Sequence, residues 1–394
     1  MAAIAGLRGT GDWATDERPK NFREYILWRN PNGSAPLTAL LSKMGSESTD
    51  DPEFSWYEEQ LNAIRVQSDA TGVSASSTSL TLTGGGLDLV PGDLLLVEKA
   101  DSVTYDNEIV EVSSVTSDTA IVIKRAQAGS AAAASGASAF FSKIGNRFAE
   151  GTNAPSASTR NPGKVSNFCQ IFKTAYELTN TAAKTHTRTG DPLKNDKKRK
   201  SFDHSVAMEM AFLFGKKNET TGPNGKPMRT TGGLRQFIQS NVTVFATTPT
   251  INTFLDAIVP VFDYDTGAGN ERIVFAGNGA LNTLNKVIKA DSGTRINYNG
   301  SISTYGMKLM EFITPQGVIY LKTHPLMNLH PRYTNSMFVV APTNLKYRHL
   351  RDTKPMDNIQ ANDADTQKGQ WLTEAGLEVE HEKTFAYIGN FTTP

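Results

Sequence analysis

The sequence predicts an α+β chain with a small all-β domain set into it. Three observations carry this. Residues 66–144 are dominated by Ser, Thr, Gly and Val and alternate with period two in Thr78 to Leu82, Asp93 to Val97, Glu108 to Val112 and Thr119 to Lys124. That is the pattern of half-buried strands. Asp191-Pro192 is a helix start, Asp as cap and Pro at the first position. Phe202, Val206, Met210 and Leu213 follow as one stripe, and Gly215 marks the end, so a helix is predicted over 191–215. Residues 234–345 mix helical stripes with short apolar runs.

Residues 1–50 read as an arm. Gly and Pro interrupt it repeatedly, yet it carries Trp13, Phe22, Tyr25 and Trp28. Bulky aromatics on such a segment must dock, either on their own domain or on a neighbour. Within 66–144, Gly84-Gly85-Gly86 and Pro91-Gly92-Asp93 are turn signals, and five or six short strands suggest a sandwich or barrel. Gly129 to Ala139 reads as a loop. Glu150 to Gly163 is loop-like, and Asn167 to Tyr176 is strand-like. Asn218 to Gly233, full of Gly and Pro, reads as a loop. Phe254, Leu255, Ile258, Val259 and Phe262 form a helical face. Arg272 to Ala276 is a short buried strand, and Leu281, Leu284, Val287 and Ile288 form another helical stripe. Tyr305 to Ile313 and Val318 to Leu321 form a hairpin around Thr314-Pro315-Gln316-Gly317, and Ser336 to Val340 is a further strand. Residues 376–380 and 385–388 are predicted as a strand pair.

A chain of 394 residues suggests two or three domains. Its 40 Lys and Arg balance 40 Asp and Glu, so no whole-chain charge drives it toward nucleic acid or membrane. The single Cys169 excludes an internal disulfide and a cysteine-based zinc site. The start Met1-Ala2-Ala3-Ile4 lacks the features of a signal peptide, and no run reaches the roughly 18 apolar residues of a membrane span. A cytoplasmic place of synthesis and assembly, with no membrane partner, is the expectation.

No catalytic constellation emerges. The six histidines show no His-x-x-x-His spacing and read as structural. Cys169, between Phe168 and Gln170, reads as a buried inert thiol. Gly277-Asn278-Gly279 stands between a strand and a helix, as a nucleotide turn would, but the third glycine and the following acid are missing. Neither catalytic residues, nor a metal, nor a cofactor is expected. One charge run stands out: Lys194, Lys197, Lys198, Arg199 and Lys200. It is either a solvated helix face making salt bridges or a face turned toward polyphosphate, where each cation displaces counterions without base specificity.

Several segments, in order, resemble a known family. They are Ser34 to Leu41; Glu53-Phe54-Ser55-Trp56; Val90-Pro91-Gly92-Asp93; Ile109 to Val112; Ile123 to Ala126; Asn167 to Phe172 with Tyr176 to Ala182; Arg229 to Leu234; Tyr305-Gly306; and Thr323-His324-Pro325. Together they resemble the major capsid proteins of tailed bacteriophages with the Hong Kong 97 fold, in the branch whose extended loop carries an inserted β domain. Two departures are Met210 to Gly215, where the family more often has a Glu-rich stretch, and the polar spacer Asp101 to Asp106. The resemblance implies an N-terminal arm over 1–50, an extended loop over 51–65 and 145–165, and the inserted β domain over 66–144. It also implies a peripheral domain over 166–233 and 346–394 with a spine helix over 191–215, and an axial domain over 234–345. The implied function is self-assembly into pentamers and hexamers of an icosahedral head around double-stranded DNA. Portal, scaffold and decoration proteins would be partners, and a scaffold, if used, would be separate. Lys194, Lys197, Lys198, Arg199 and Lys200 would face the DNA, and Trp13, Phe22, Tyr25 and Trp28 would contact neighbouring subunits. Two other classes compete: a decoration or tail protein, and an α/β enzyme using the 272–290 turn.

Overall fold

The computed structural model describes residues 36–44, 46–59, 64–98, 108–132, 134–154, 159, 161–264, 267, 269–290, 302–304 and 307–392. Along the chain, helix α1 (Pro36–Met44) precedes strands β1 (Ser46–Ser48) and β2 (Glu53–Glu58). Six strands follow: β3 (Arg65–Gln67), β4 (Ser79–Thr81), β5 (Asp93–Glu98), β6 (Ile109–Ser117), β7 (Ala120–Gln127) and β8 (Phe140–Asn146). Next come β9 (Gly163–Phe168), β10 (Gln170–Thr179), α2 (Asn180–Lys184), α3 (Pro192–Phe214), β11 (Asn218–Thr221), β12 (Pro227–Thr230) and α4 (Leu234–Phe237). The rest comprises β13 (Val242–Val244), α5 (Ile251–Ile258), β14 (Glu271–Ala276), α6 (Asn278–Ala290), β15 (Ile302–Thr304), β16 (Met307–Ile313) and β17 (Val318–Thr323). It ends with β18 (Met337–Val340), β19 (Leu345–Met356), β20 (Thr366–Val379) and β21 (Ala386–Gly389). The chain forms two compact units, one of Tyr57–Lys164 and one of Met1–Trp56 with Val165–Pro394.

The smaller unit holds one six-stranded sheet in the order β3-β8-β5-β6-β7-β4. Its ends meet: Ser68 bridges Leu82, the Asp69 N–H donates to the Thr81 carbonyl, and the Thr83 N–H donates to the Gln67 carbonyl. The sheet therefore closes into a small barrel without an open edge. Inward positions alternate along each strand and supply Leu95, Val97, Val110, Val112, Ile121, Ile123 and Phe141. Two acids share this inward register, Asp93 on β5 and Glu108 just before β6, both almost fully buried. Each meets a cation: the Lys143 Nζ lies 2.7 Å from Asp93 and Arg125 pairs with Glu108.

The larger unit has two main sheets. One is four-stranded, in the order β1-β19-β20-β10, with β10 and β20 antiparallel over ten pairs from Gln170↔Ala375 to Thr179↔Thr366. The other is seven-stranded and mixed, in the order β13-β21-β18-β14-β17-β16-β15. Its strand β14 is buried on both faces, as a continuous apolar run demands. Ile273 and Phe275 join the core of Leu37, Leu40, Phe212 and Phe338, while Val274 and Ala276 join that of Phe254, Ile258 and Leu284 from α5 and α6. Gly376 on β20 sits where a Cβ would come within 2.6 Å of the Phe168 carbonyl and 2.7 Å of the Phe54 ring, so only glycine fits that approach.

Three sequence expectations are corrected here. The C-terminal segments are not a strand pair: β20 lies between β19 and β10, whereas β21 lies between β13 and β18 in the other sheet. Asn218 to Gly233 is a β11–β12 hairpin turning at Gly222-Pro223-Asn224-Gly225 rather than a plain loop. The helix over 191–215 forms, but of the stripe Phe202, Val206, Met210 and Leu213 only Leu213 is fully buried. The positions of α3 that are buried are His204, Met208, Glu209, Phe212 and Leu213, and Met210 is exposed. The core-facing ridge includes a His and a Glu held by hydrogen bonds, which a purely apolar stripe cannot register.

Candidate functional site

Helix α3 carries both the basic run and a buried polar centre. Its start follows the sequence: the Asp191 carboxylate accepts the Leu193 N–H at 2.9 Å, and Pro192 occupies the first turn. This satisfies donors that the helix end would otherwise leave open.

The five basic residues separate into two groups. Lys197 and Lys200 are half-buried and ion-paired. The Lys197 ammonium lies 2.8 Å from Asp357, which also accepts a hydrogen bond from the Tyr176 hydroxyl. The Asp357 carboxylate holds Lys197 above the usual lysine range, and Lys197 in turn holds Asp357 below the usual carboxylate range. Lys200 lies 3.2 Å from Asp203. Exposed pairs of this kind stabilise little, and they leave these two cations partly neutralised. Lys194, Lys198 and Arg199 are exposed, and Lys194 and Lys198, one turn apart, make no ion pair among the described residues. The salt-bridged reading thus holds for Lys197 and Lys200, while Lys194, Lys198 and Arg199 stand on the exposed surface of the helix. The arm residues Trp13, Phe22, Tyr25 and Trp28 lie outside the described residues.

On its buried side, α3 presents Glu209, whose carboxylate is fully enclosed. Its Oε1 accepts the Leu37 N–H at 2.7 Å and the His324 Nε2–H at 2.8 Å. Its Oε2 accepts the Thr38 N–H at 2.8 Å and the Thr38 hydroxyl. Helix α1 thus has its first turn capped by a side chain more than 170 residues away, a long-range version of the acid at a helix N-terminus. One carboxylate ties three parts of the unit together: α1, α3, and the segment after β17 that carries His324. A second histidine is buried one turn earlier. His204 bridges the hydroxyls of Thr174 at 3.1 Å and Thr373 at 2.8 Å, and burial pushes its imidazole below the usual histidine range. Glu209 is not marked by any motif in the sequence. The only signal was an acid inside the apolar stretch Met208 to Phe214.

The other candidates resolve as follows. Cys169 is buried at the break between β9 and β10 with Phe54 and Trp56, and burial pushes its thiol up to about 12, so it is held as an unreactive thiol. Gly277-Asn278-Gly279 does open α6, but its N–H groups serve the chain itself. The Asn278 N–H donates to the Asn328 side chain at 2.6 Å and the Gly279 N–H to the Thr334 hydroxyl at 3.3 Å. A Cβ on Gly277 would come within 2.3 Å of the Thr334 carbonyl, so the space a phosphate would occupy is filled by backbone. Among the described residues no cluster of three or more metal-ligating side chains occurs, and no helix is long and apolar enough to cross a membrane.

Comparison with known proteins adds three findings. The family model of the SU10 major capsid protein matches residues 9–392. The chain is similar to the major capsid protein of Pseudomonas phage PaMx41, with 27% identity over 337 residues, covering 83% of this chain and 78% of that one. Among solved structures, it is similar to the capsid of a native GTA particle, at 10% identity, 96% coverage of both chains and a TM-score of 0.49. It is also similar to a Microbacterium phage Oxtober96 structure, at 12% identity, 94% and 95% coverage and a TM-score of 0.48.

Proposed function

We propose that this chain, which belongs to the SU10 major capsid protein family, builds a phage head by closing into pentamers and hexamers around double-stranded DNA. It is a phage major capsid protein and a component of the virion capsid, and it assembles into oligomeric shells. The observation that carries the reading is the reach of the family match, residues 9–392, which takes in both compact units. A decoration or tail protein would not need that whole arrangement. The role is structural and not enzymatic, and the internal occupation of the 277–279 turn supports this.

Within the Hong Kong 97-type frame implied by the sequence resemblance, α3 is the spine helix, and its outward Lys194, Lys198 and Arg199 face the packaged DNA, with Lys197 and Lys200 behind them. The arm aromatics Trp13, Phe22, Tyr25 and Trp28 dock on neighbouring subunits. Residues 51–65 and 145–165 form the extended loop, 66–144 the inserted β domain, 166–233 and 346–394 the peripheral domain, and 234–345 the axial domain. Assembly in the host cytoplasm, with a portal protein and with scaffold or decoration proteins, completes the scheme.

The direct test is to express the chain alone and examine it by negative-stain electron microscopy with light scattering. Rings, hexamers, tubes or shells are expected. A chain that stays monomeric over a wide concentration range, alone and with the scaffold protein of its phage, would sink the reading. The DNA-facing helix has its own test in filter binding of duplex DNA across salt concentrations. K194Q/K198Q/R199Q is expected to flatten the slope of log affinity against log salt by about one per cation removed, without changing sequence preference. An unchanged slope would assign the run to solvation.

A further inference from the structure

Most arginines among the described residues are given a partner. Arg65, Arg125, Arg147, Arg229, Arg272, Arg348 and Arg351 each direct the guanidinium at an oxygen acceptor of the chain. Arg235 and Arg332 make no such hydrogen bond or ion pair among the described residues, and both line the same cavity of about 460 Å³ in the larger unit. Among the described residues no Asp or Glu lines it. Arg235, on α4, is half-buried and lies over the Tyr387 ring at 4.6 Å. That contact fixes the plane of the guanidinium while leaving its N–H edges unspent. The second arginine belongs to the same wall: the Tyr387 hydroxyl is 3.2 Å from the Ser336 Oγ, and that hydroxyl in turn donates to the Arg332 carbonyl at 3.3 Å. Tyr333, next in the chain, is stacked on Phe214 with centroids 4.2 Å apart, which anchors the segment carrying Arg332.

We propose that this cavity is an oxyanion site that takes a phosphate group, either free phosphate or a backbone phosphate of nucleic acid. Two like charges facing one cavity without a counter-charge are unfavourable in the empty site, and a bound anion relieves this. Each guanidinium offers five donors in a planar fork. A carboxylate has two coplanar oxygens and is satisfied by a single fork, whereas a tetrahedral phosphate presents oxygens to both. The cavity is larger than one anion needs, which leaves room for the ester-linked groups of a nucleic-acid backbone. The site uses none of the α3 cations and does not depend on the assembly reading.

The test is titration of the full chain with inorganic phosphate in chloride buffer at constant ionic strength, followed by calorimetry, and in parallel with a 30-base-pair duplex. Saturable phosphate binding is expected, weakened about tenfold or more by Arg235→Gln and by Arg332→Gln, the size of a lost charged hydrogen bond. It should be unchanged by Lys226→Gln, an exposed lysine of the β11–β12 turn. Arg235→Lys keeps the charge but not the fork and should also weaken it. Parallel weakening of duplex binding identifies the nucleic-acid backbone as the source; duplex binding left intact identifies the free anion. Absence of saturable phosphate binding, or binding indifferent to both arginines, overturns the proposal. So does a result in which the variants alter particle formation alone, because the pocket would then be a subunit contact. Arg332 is exposed, so its variant keeps the test open should Arg235→Gln fail to fold.

Discussion

Glu209→Ala is expected to lower the stability of the larger unit by about 3–5 kcal/mol, the cost of removing one member of a buried, hydrogen-bonded charged cluster. Native proteins are stable by only about 5–15 kcal/mol, so this is a major fraction of the whole. The loss is large because four donors converge on one carboxylate: the Leu37 N–H, the Thr38 N–H, the Thr38 hydroxyl and His324 Nε2–H. Water cannot replace the carboxylate without opening a core that contains Leu37, Leu40, Phe212 and Leu213. Glu209→Gln should also be costly, since its amide NH2 would be aimed at a group that itself donates. All four tryptophans lie outside Tyr57–Lys164, so a urea transition followed by tryptophan fluorescence reads the affected unit. Proteolysis near α1 should accelerate as well, because its first turn loses its cap. Glu219→Gln, an exposed acid on β11 paired with Arg229, is the control and should move the midpoint little. A midpoint shift for Glu209→Ala no larger than the control would show that α1 is held by apolar packing alone.

How much of this was legible in the sequence depends on which physical rule placed each residue. The cap Asp191-Pro192, the strand β14 and the stripe of α6 follow from local propensity and periodicity, and each formed as expected. The core face of α3 did not, because His204 and Glu209 are inside for their hydrogen bonds, and their partners Thr373 and Leu37 are about 170 residues distant. Separation of that order also hid the C-terminal topology. Residues 376–380 and 385–388 look like a hairpin locally, but the first closes the long strand β20 and pairs with β19, and the second crosses to the other sheet. The capsid family was readable only from an ordered set of weak segments. The arginine cavity had no sequence signal at all, since Arg235, Arg332 and Tyr387 meet only in the fold.

The second large effect is expected in the barrel, and its sign structure is more telling than its size. Glu108 precedes β6 in the inward register of Val110 and Val112, and the alternation Glu108-Ile109-Val110 does not show by itself that the acid points in. It accepts the Arg125 Nε–H at 2.7 Å and the Ala126 N–H at 2.8 Å on one oxygen, and the Arg125 Nη2–H at 2.5 Å on the other. Arg125 also donates to the carbonyls of Ser74 at 2.6 Å and Ser77 at 3.2 Å, fastening the loop ahead of β4 to the β6–β7 hairpin. Glu108→Ala leaves a nearly buried guanidinium without its counter-charge and should cost about 3–5 kcal/mol. The double variant Glu108→Leu/Arg125→Met removes both charges while keeping volume. It should recover most of that loss, since a buried pair roughly balances its own desolvation. Hydrogen exchange of the β5–β7 amides is the measurement, because no tryptophan reports on this unit. Faster exchange in Glu108→Ala that is largely restored in the double variant is the expected pattern. Equal destabilisation in both would mean that the Arg125 bonds to Ser74 and Ser77, rather than the charge balance, hold the loop, and that the pair acts as a geometric pin for the barrel.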